Sequence, residues 1–328
     1  MKIDFIVLWV DGTDSEWRKQ KSIYTGIPFV ENDIQFRDWS IFHYWFRAVE
    51  QYAPWVNRVF LVTCGQIPKW LNTQHPKLKL VFHKDYMPEE YLPTFSSHPI
   101  ELNLHRISDL SEHFVYFNDD MFLNAPVQAE DFFRDGLPCL SAVQSIFVPM
   151  GLGNSFSHII CNSTAFLNTH FKKKEVIRKN PEKWFTLTYG KGLLNNIYYS
   201  LGRHGFSVLQ NYHMPSPMLK STFEKVWRME PRILHETSLR KLRSEKDVNQ
   251  YIMNYYDIGT GGFFPRDPRQ GMFYEVGHNN KALYRDLLEE KHKTVCINDT
   301  VCHDFEEEKQ KLISVFEKKF PQKCSFEK

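Results

Sequence analysis

Two adjacent acids end a strongly apolar run in the first half of the chain. The run His113–Asp120, "HFVYFNDD", predicts a strand that ends in Asn118, Asp119 and Asp120. Neighbouring carboxylates at a strand end can hold a divalent metal, and the metal can hold a nucleotide diphosphate. Because side chains alternate along a strand, both acids reach one metal only where the strand has already turned. The alternative is an Asp-rich turn or a helix N-cap.

A second acidic turn follows the first apolar run of the chain. "FIVLWVDGTD" places Asp11, Gly12 and Asp14 after a predicted strand at Phe5–Val10. Asp, Gly and Thr favour an ordinary turn, but a strand end is also a common place for a binding site. Gly12, which has no side chain, would let the backbone approach a ligand closely.

A histidine lies in a proline-rich segment of the second half. "NYHMPSPMLK" holds His213 between polar residues and two prolines, which favour an extended, rigid backbone. A fixed imidazole suits general-base catalysis near neutral pH. The alternative is a surface histidine without a catalytic function.

A basic stretch downstream of His213 offers groups that could bind phosphate. Guanidinium groups stabilise the negative charge of a transferring phosphoryl group, and an exposed helix face is the alternative explanation. The arginines are Arg228, Arg232, Arg240 and Arg243.

The elements that would position these residues alternate between strand and helix in the first 125 residues. This pattern predicts an α/β fold with a Rossmann-like, mostly parallel sheet flanked by helices. Ligands bind beyond the carboxyl ends of such strands, where the acids lie. Further strands are predicted at Arg58–Cys64 and Lys79–His83, and helices at Trp39–Tyr52 and Glu101–Leu110.

The second half has a less regular, helix-rich pattern. We expect residues 1–150 to bind the donor nucleotide and residues 151–328 to supply acceptor and phosphate residues, the two parts forming one catalytic unit. The pattern predicts helices within 161–205, Lys246–Tyr256, Lys281–Glu290 and Asp304–Lys319, a strand at Thr294–Asn298 and a loop at Gly259–Gly271.

Composition limits the class of protein. The chain has 328 residues and a net charge of +2, which gives no reason to expect a nucleic-acid partner. Six cysteines without a C-x-x-C pair are typical of reduced thiols in the cytoplasm. His292, Cys296, Cys302 and His303 match no common zinc spacing.

The sequence contains neither a recognisable targeting signal nor a common nucleotide-binding motif. The N-terminus lacks signal-peptide features, and no apolar run reaches the roughly 18 residues of a membrane span. We therefore expect a cytoplasmic protein. Lys172–Lys174 either contact the inner face of a membrane peripherally or form a solvated patch. The chain has no P-loop, dinucleotide fingerprint, H-E-x-x-H or G-x-S-x-G motif.

Together these segments resemble the four conserved regions of the Stealth family of sugar-phosphate transferases. The resemblance rests on "IDFIVLWVDGTDSEW", "FRD", the block from Tyr52 to Leu123, "HMPSPM", "LRKLRSEKDVNQ" and "VCINDT", and it covers nearly the whole chain. The family includes bacterial capsular and cell-wall polysaccharide phosphotransferases. Departures occur at Trp39–His43, where many members have a polar pattern, and at Leu242, where an aromatic residue is common.

The resemblance implies transfer of a hexose-1-phosphate from a UDP-hexose or UDP-N-acetylhexosamine to a hydroxyl of a glycan, with release of UMP. The acceptor is lipid-linked in many such pathways, and Mg²⁺ or Mn²⁺ is the implied cofactor. The implied catalytic residues are Asp38, Asp120, His213 and Arg243. The implied metal ligands are Asp119, Asp120 and Asp299, and the donor-binding residues are Trp9, Val10, Asp11, Gly12, Asp14, Arg37, Asn118 and Arg228.

Two other functions remain open on the sequence. A metal-dependent glycosyltransferase would use the same acids but break the bond at the sugar C1 and release UDP. A glycan-binding protein that kept the fold without the chemistry is the second, although the joint presence of Asp120, His213 and Arg243 argues against it.

Overall fold

The computed structural model describes residues 1–26, 36–149, 151, 154–202, 204–277, 279–302 and 304–328. His303, one of the four residues weighed for zinc, lies outside them. Strands and helices alternate, which confirms the α/β prediction. The strands are β1 (Ile3–Leu8), β2 (Val59–Thr63), β3 (Leu78–Phe82), β4 (His113–Phe117), β5 (Met121–Leu123), β6 (Phe133–Arg134), β7 (Leu137–Leu140), β8 (Gln144–Ser145), β9 (Val208–Leu209), β10 (Ser216–Leu219), β11 (Phe264–Pro265), β12 (Gly271–Val276) and β13 (Thr294–Asp299).

The helices lie mainly between and after the strands of the first part. None of the described helices is long and apolar enough to cross a membrane. They are α1 (Ser15–Thr25), α2 (Phe42–Tyr52), α3 (His83–Tyr86), α4 (Ser97–Leu102), α5 (Ser155–His170), α6 (Lys173–Lys179), α7 (Pro181–Trp184), α8 (Gly192–Ser200), α9 (Lys220–Met229), α10 (Pro231–Leu239), α11 (Tyr251–Thr260), α12 (Lys281–Glu289) and α13 (Phe305–Lys319).

The main sheet has five strands in the order β10-β4-β1-β2-β3. β1 to β4 run parallel to their neighbours, and β10 is antiparallel to β4. The carboxyl ends of β1 and β4 meet at one edge, with Val7 paired to Phe117. Because β10 runs the opposite way, its first residue, Ser216, lies opposite Tyr116 at the same edge. His213 precedes β10 by three residues and is thereby brought to that edge.

A second sheet, in the order β12-β13-β5, joins the first through a short turn. β4 ends at Phe117 and β5 begins at Met121, so Asn118–Asp120 connect the two sheets. The division predicted at residue 150 stays a prediction. Strands from residues 151–328 enter both sheets, however, and this is consistent with one catalytic unit.

The apolar core occupies both faces of the main sheet. Along β1, Phe5 and Val7 point to the face covered by α2, α12 and α13, whereas Ile6 and Leu8 point to the face covered by α4, α5, α9 and α11. Strands buried on both faces are typical of parallel sheets between helices. The acid within this run, Asp4, is fully buried and accepts hydrogen bonds from Asn57 Nδ2 and Ser111 N.

Several element predictions differ from the structure at their ends; the helices predicted at Trp39–Tyr52 and Lys246–Tyr256 begin later, at Phe42 and Tyr251. β1 ends two residues earlier than predicted, at Leu8. The helix predicted at Glu101–Leu110 is wrong beyond Leu102, because the Asn103 side chain donates to Pro99 O at 2.8 Å and only a 3₁₀ turn follows. The loop predicted at Gly259–Gly271 begins inside α11 and contains β11.

Gly12 gives a test of the packing at the end of β1. A Cβ at Gly12 would overlap the Phe36 carbonyl oxygen. We expect Gly12→Ala to lower the free energy of unfolding by about 1–3 kcal/mol, because the two backbone segments must separate. Gly277→Ala is the control, since its Cβ would lie 3.7 Å from Thr300 Oγ1, an ordinary contact. Urea unfolding of both variants measures the difference, and equal stability would contradict the packing argument.

Candidate active site

The turn Asn118–Asp120 changes the direction of the chain between the two sheets. Met121 N donates to Asn118 O at 3.1 Å, which closes the turn. Ile297 N of β13 donates to Asp120 O at 2.8 Å, which attaches the turn to the second sheet. The chain has therefore turned before Asp120, the condition under which both acids could face one ligand.

Asp120, His213 and Cys296 form a cluster at this junction. Asp120 Oδ2 lies 3.5 Å from His213 Nε2 and accepts from the Cys296 thiol at 3.2 Å. One ligand atom from each residue lies within 4.8 Å of the others. The second oxygen, Asp120 Oδ1, is buried and has no hydrogen-bond partner among the described residues. An unpaired buried carboxylate oxygen is costly unless a ligand occupies it.

The His213 ring is held from several sides. Its Nδ1 lies 3.1 Å from the Tyr251 hydroxyl, and its ring packs edge-on against Phe273 at 6.1 Å between centroids. His213 N donates to Asn211 Oδ1 at 2.8 Å. The backbone of His213 has a φ of 45°, an unusual value for a residue other than glycine. Such strained residues are concentrated at functional sites.

Opposing charges act on the imidazole. Burial by itself would lower the pKa of His213, but the hydrogen bond and charge of Asp120, together with the charge of Glu101, raise the pKa above its ordinary value. The positive charge of Arg243 works in the opposite direction. Arg243 is therefore close enough to act electrostatically on this cluster, although its side chain is exposed.

Asp119 lies at the open side of the turn. Its side chain is exposed, yet the surrounding protein restricts its solvation. This loss of solvation, followed by the charges of Asp120 and Asp38, raises the pKa of Asp119 to about 7. Asp38, also exposed, accepts from Ser40 N and Ser40 Oγ. Both acids therefore face the same region as Asp120, but the three-residue cluster does not include them.

Several site residues were not identified from the sequence. The Tyr116 hydroxyl donates to the buried Glu101 Oε1 at 3.0 Å and also contacts the Asn118 side-chain oxygen. Asn118 Nδ2 lies 3.5 Å from His213 Nε2, so Glu101 is linked to the imidazole through two side chains. Tyr251 and Cys296 also contact the site. Their residue types and spacing gave no sign of a shared site, because each side chain comes from a different element and only the fold brings them together.

Most polar groups of the turn Asp11–Asp14, which follows β1, form hydrogen bonds within the turn, to the start of α1 or to Gln66. Asp11 accepts from Thr13 N and Oγ1 and exchanges two backbone hydrogen bonds with the Gln66 side chain. Asp14 is the N-cap of α1 and accepts from Trp17 N at 2.7 Å. Trp9 stacks on Phe42, and Val10 follows it at partial exposure. The absence of a side chain at Gly12 lets its backbone approach the Phe36 backbone closely. Donor binding by this turn stays a prediction.

Arg37 and Asp299 form an ion pair with each other. Arg37 donates to both Asp299 carboxylate oxygens, through Nε at 2.5 Å and through Nη2, and it also donates to Thr300 O. Both carboxylate oxygens of Asp299, a predicted metal ligand, thus accept hydrogen bonds from Arg37. The pair attaches the segment before α2 to the end of β13, and metal binding by Asp299 stays a prediction.

The other predicted arginines lie elsewhere. Arg228 is exposed near the end of α9 and donates to Glu224 O, and no described contact joins it to the cluster. Arg232 pairs with Glu236, and Arg240 pairs with the buried Asp247. His292, from the cysteine–histidine group, contacts Asp286. Of the four arginines, Arg243 is the one whose charge lowers the pKa of His213.

The side-chain atoms available as metal ligands determine which cation the site fits. Asp120 Oδ1 is a free, buried oxygen of the kind that Mg²⁺ and Mn²⁺ prefer. Burial and the charge of Asp120 raise the pKa of Cys296 well above the ordinary value, so the thiol acts as a hydrogen-bond donor to Asp120. The site thus fits an oxygen-bound cation at Asp120, completed by oxygens of a bound phosphate or water. A set that also used the imidazole and a thiolate would be typical of a softer metal such as zinc.

Asp120→Asn tests this assignment without a large change in shape. We expect Mn²⁺ to bind about tenfold more weakly or worse, because the carboxylate charge is lost, while the melting temperature stays within a few degrees. Titration calorimetry with Mn²⁺ and thermal unfolding measure the two effects. Asp109→Asn is the matched control, since Asp109 is exposed and lies near Arg58. Unchanged Mn²⁺ affinity in Asp120→Asn would remove the metal from this site.

Two family models match the part of the chain that contains the turn Asn118–Asp120 and the segments before it. Residues 1–27 match Stealth protein CR1, conserved region 1, and residues 35–139 match Stealth protein CR2, conserved region 2. The second match contains Arg37, Asp38 and the turn Asn118–Asp120. The galactosyltransferase LgtC, solved in complex with donor and acceptor sugar analogs, covers 96% of this chain and 95% of its own at 11% identity and a TM-score of 0.42. That likeness is too weak to support a conclusion about function.

Relatives with much higher identity align along nearly the whole chain. Capsular polysaccharide phosphotransferase WcwK of Streptococcus pneumoniae is 41% identical over 99% of this chain and 99% of its own length. Exopolysaccharide phosphotransferase cps2G of Lactiplantibacillus plantarum is 44% identical over 99% and 96%. Receptor polysaccharide phosphotransferase WefC of Streptococcus gordonii is 38% identical over 99% of both. On this similarity, the chain belongs to the Stealth family.

Proposed function

We propose that the chain transfers a hexose-1-phosphate from a UDP-hexose or UDP-N-acetylhexosamine to a hydroxyl of an acceptor glycan, and releases UMP. The relatives named as capsular and exopolysaccharide phosphotransferases support the reaction class and a place in bacterial surface polysaccharide synthesis. The contact between Asp120 and His213 at the junction of the two sheets is the structural observation that best supports it.

In this reaction the acceptor oxygen attacks the β-phosphorus of the donor. A new P–O bond forms to the acceptor, the bond from the β-phosphorus to the bridging oxygen breaks, and UMP leaves with that oxygen. The acceptor hydroxyl gives its proton to His213 Nε2, which faces Asp120. The Asp120 charge stabilises the imidazolium that results. The Tyr251 hydroxyl accepts from Nδ1–H and so keeps Nε2 directed at the acceptor.

The negative charge of the diphosphate requires a positive partner. Arg243 is the cation whose charge reaches the cluster, and we assign it to the oxygens of the transferring phosphate. A Mg²⁺ or Mn²⁺ ion held by Asp120, with Asp119 near it, would neutralise the diphosphate and polarise the P–O bond. UDP-sugars are substrates of the cytoplasm, so we propose that compartment for the reaction, with a lipid-linked glycan as the acceptor.

The leaving nucleotide tests the proposal. Purified protein is incubated with a panel of UDP-hexoses, lipid-linked acceptor and Mg²⁺ or Mn²⁺, and nucleotides are separated by chromatography. We expect UMP to accumulate in step with the acceptor product, with no UMP from Asp120→Asn and normal UMP from Asp109→Asn. Release of UDP without UMP would instead identify a glycosyltransferase.

Two substitutions test the assignment of the base. We expect His213→Gln to lower kcat by about 10²–10⁴-fold, the range typical of a general base. Tyr251→Phe should lower kcat by about tenfold with little change in KM, because it removes only the group that orients the ring. Tyr256→Phe, on the same helix and in contact with Phe171, is the control. If Tyr251→Phe changed KM and left kcat intact, the hydroxyl would serve binding and not the orientation of His213.

A further inference from the structure

The helix α8 buries a polar residue and exposes apolar ones, the reverse of what is usual for a helix on the surface of a globular protein. The structure describes all of its residues, and the only buried one is the polar Asn196. Asn196 accepts from Gln144 N at 2.8 Å and donates to the carbonyl oxygens of Ala142 and Trp184, each at 2.9 Å. A polar anchor thus holds the helix against the protein, while its apolar side chains point elsewhere.

The outward face of α8 is apolar at helical spacing. Leu194, Ile197, Tyr198 and Leu201 follow the i, i+3, i+4, i+7 pattern of one helix face. Leu194 is 68% exposed, Tyr198 71% and Leu201 81%, and Leu187, in the turn before the helix, is 86% exposed. Single exposed apolar residues are ordinary, but a continuous stripe of this kind indicates a surface that is covered in use. These five residues are called the α8 face below.

Lysines lie near both ends of α8. Lys173 Nζ donates to Tyr199 O at 2.7 Å, which places the start of α6 against the end of α8. Its neighbours Lys172 and Lys174 are exposed, and Lys191 is exposed immediately before α8. Residues 172–204 contain eight Lys or Arg and two Glu. An apolar stripe with a basic rim is typical of helices that lie in the interface of an anionic bilayer.

We propose that the α8 face docks on an anionic lipid bilayer, with its apolar side chains among the acyl chains and the lysines at the headgroups. A second copy of the chain fits the face less well, because a symmetric contact would bring two basic rims together. A helix of nine residues is too short to span a bilayer and can lie only in its surface.

This docking would keep the active site close to the membrane. After α8 the chain enters β9, and His213 follows the end of β9 by four residues. The idea that the docked protein meets a lipid-linked acceptor at the membrane rests on the proposed function. Binding to lipid itself does not, because it can be measured without donor, acceptor or turnover.

Vesicle sedimentation of the full chain tests the docking. We expect binding to vesicles of phosphatidylcholine mixed with phosphatidylglycerol, little binding to phosphatidylcholine alone, and weaker binding at high salt. The double variant Leu194→Asn/Leu201→Asn should bind about tenfold more weakly or worse, because two apolar anchors are lost. Lys172→Ala/Lys174→Ala should lose the preference for anionic vesicles. Leu288→Asn, which changes a half-exposed leucine of α12, is the control.

The outcomes separate this inference from the proposed function. Native-like melting temperatures show that each variant folds, and UMP release with a water-soluble acceptor should be unchanged in Leu194→Asn/Leu201→Asn. The proposal is overturned if the native chain does not sediment with anionic vesicles, or if the double variant sediments as well as the native chain. It is also overturned if sedimentation velocity shows a native dimer that the double variant converts to a monomer.

Discussion

The hydrogen bond from Ile297 N to Asp120 O is the interaction on which the arrangement of the site depends. It fixes the end of the turn Asn118–Asp120 to β13 at the point where the chain passes from the main sheet to the second one. Because the bond joins backbone to backbone, it holds Asp120 whichever ligand is bound. It also brings the Cys296 thiol, one residue earlier on β13, to the Asp120 carboxylate at 3.2 Å. The pairing of β5 with β13 thereby sets the positions of Asp120 and Cys296 relative to each other.

The second constraint is the balance of charge around His213. Two carboxylates, of Asp120 and of the buried Glu101, favour the protonated imidazole, while burial and Arg243 oppose it. A chain of polar contacts also joins Glu101 to the ring: the Tyr116 hydroxyl donates to Glu101 and contacts Asn118, whose Nδ2 lies 3.5 Å from His213 Nε2. A buried polar network of this kind is costly unless its members are paired. Two carboxylate oxygens of this network, Glu101 Oε2 and Asp120 Oδ1, are buried without a hydrogen-bond partner among the described residues, and Asp120 Oδ1 belongs to the residue that contacts both His213 and Cys296.

The sequence predicted the parts of the site that follow from local patterns. The strand ends, the turn Asn118–Asp120 and His213 were found because apolar runs, acids and prolines are visible within a few residues. Glu101, Tyr251 and Cys296 were missed because only the tertiary fold brings these buried residues to the cluster. The sequence also gave no sign that Gly12 packs against the Phe36 backbone or that Asp299 forms an ion pair with Arg37, because each contact joins segments that are distant along the chain. Arg228 lay in a basic stretch whose members the fold separates, so charge along the chain could not distinguish it from Arg243.

The fate of the β-phosphorus of the donor shows whether this junction transfers a hexose-1-phosphate. A UDP-sugar labelled with radioactive phosphorus at the β-position is incubated with enzyme and acceptor until the donor is consumed. We expect the label to appear in the glycan as a phosphodiester, since the bond between the two donor phosphates is the one that breaks. Label that remains in the nucleotide, with unlabelled sugar on the acceptor, would contradict it and would show that the chain breaks the bond at the sugar C1.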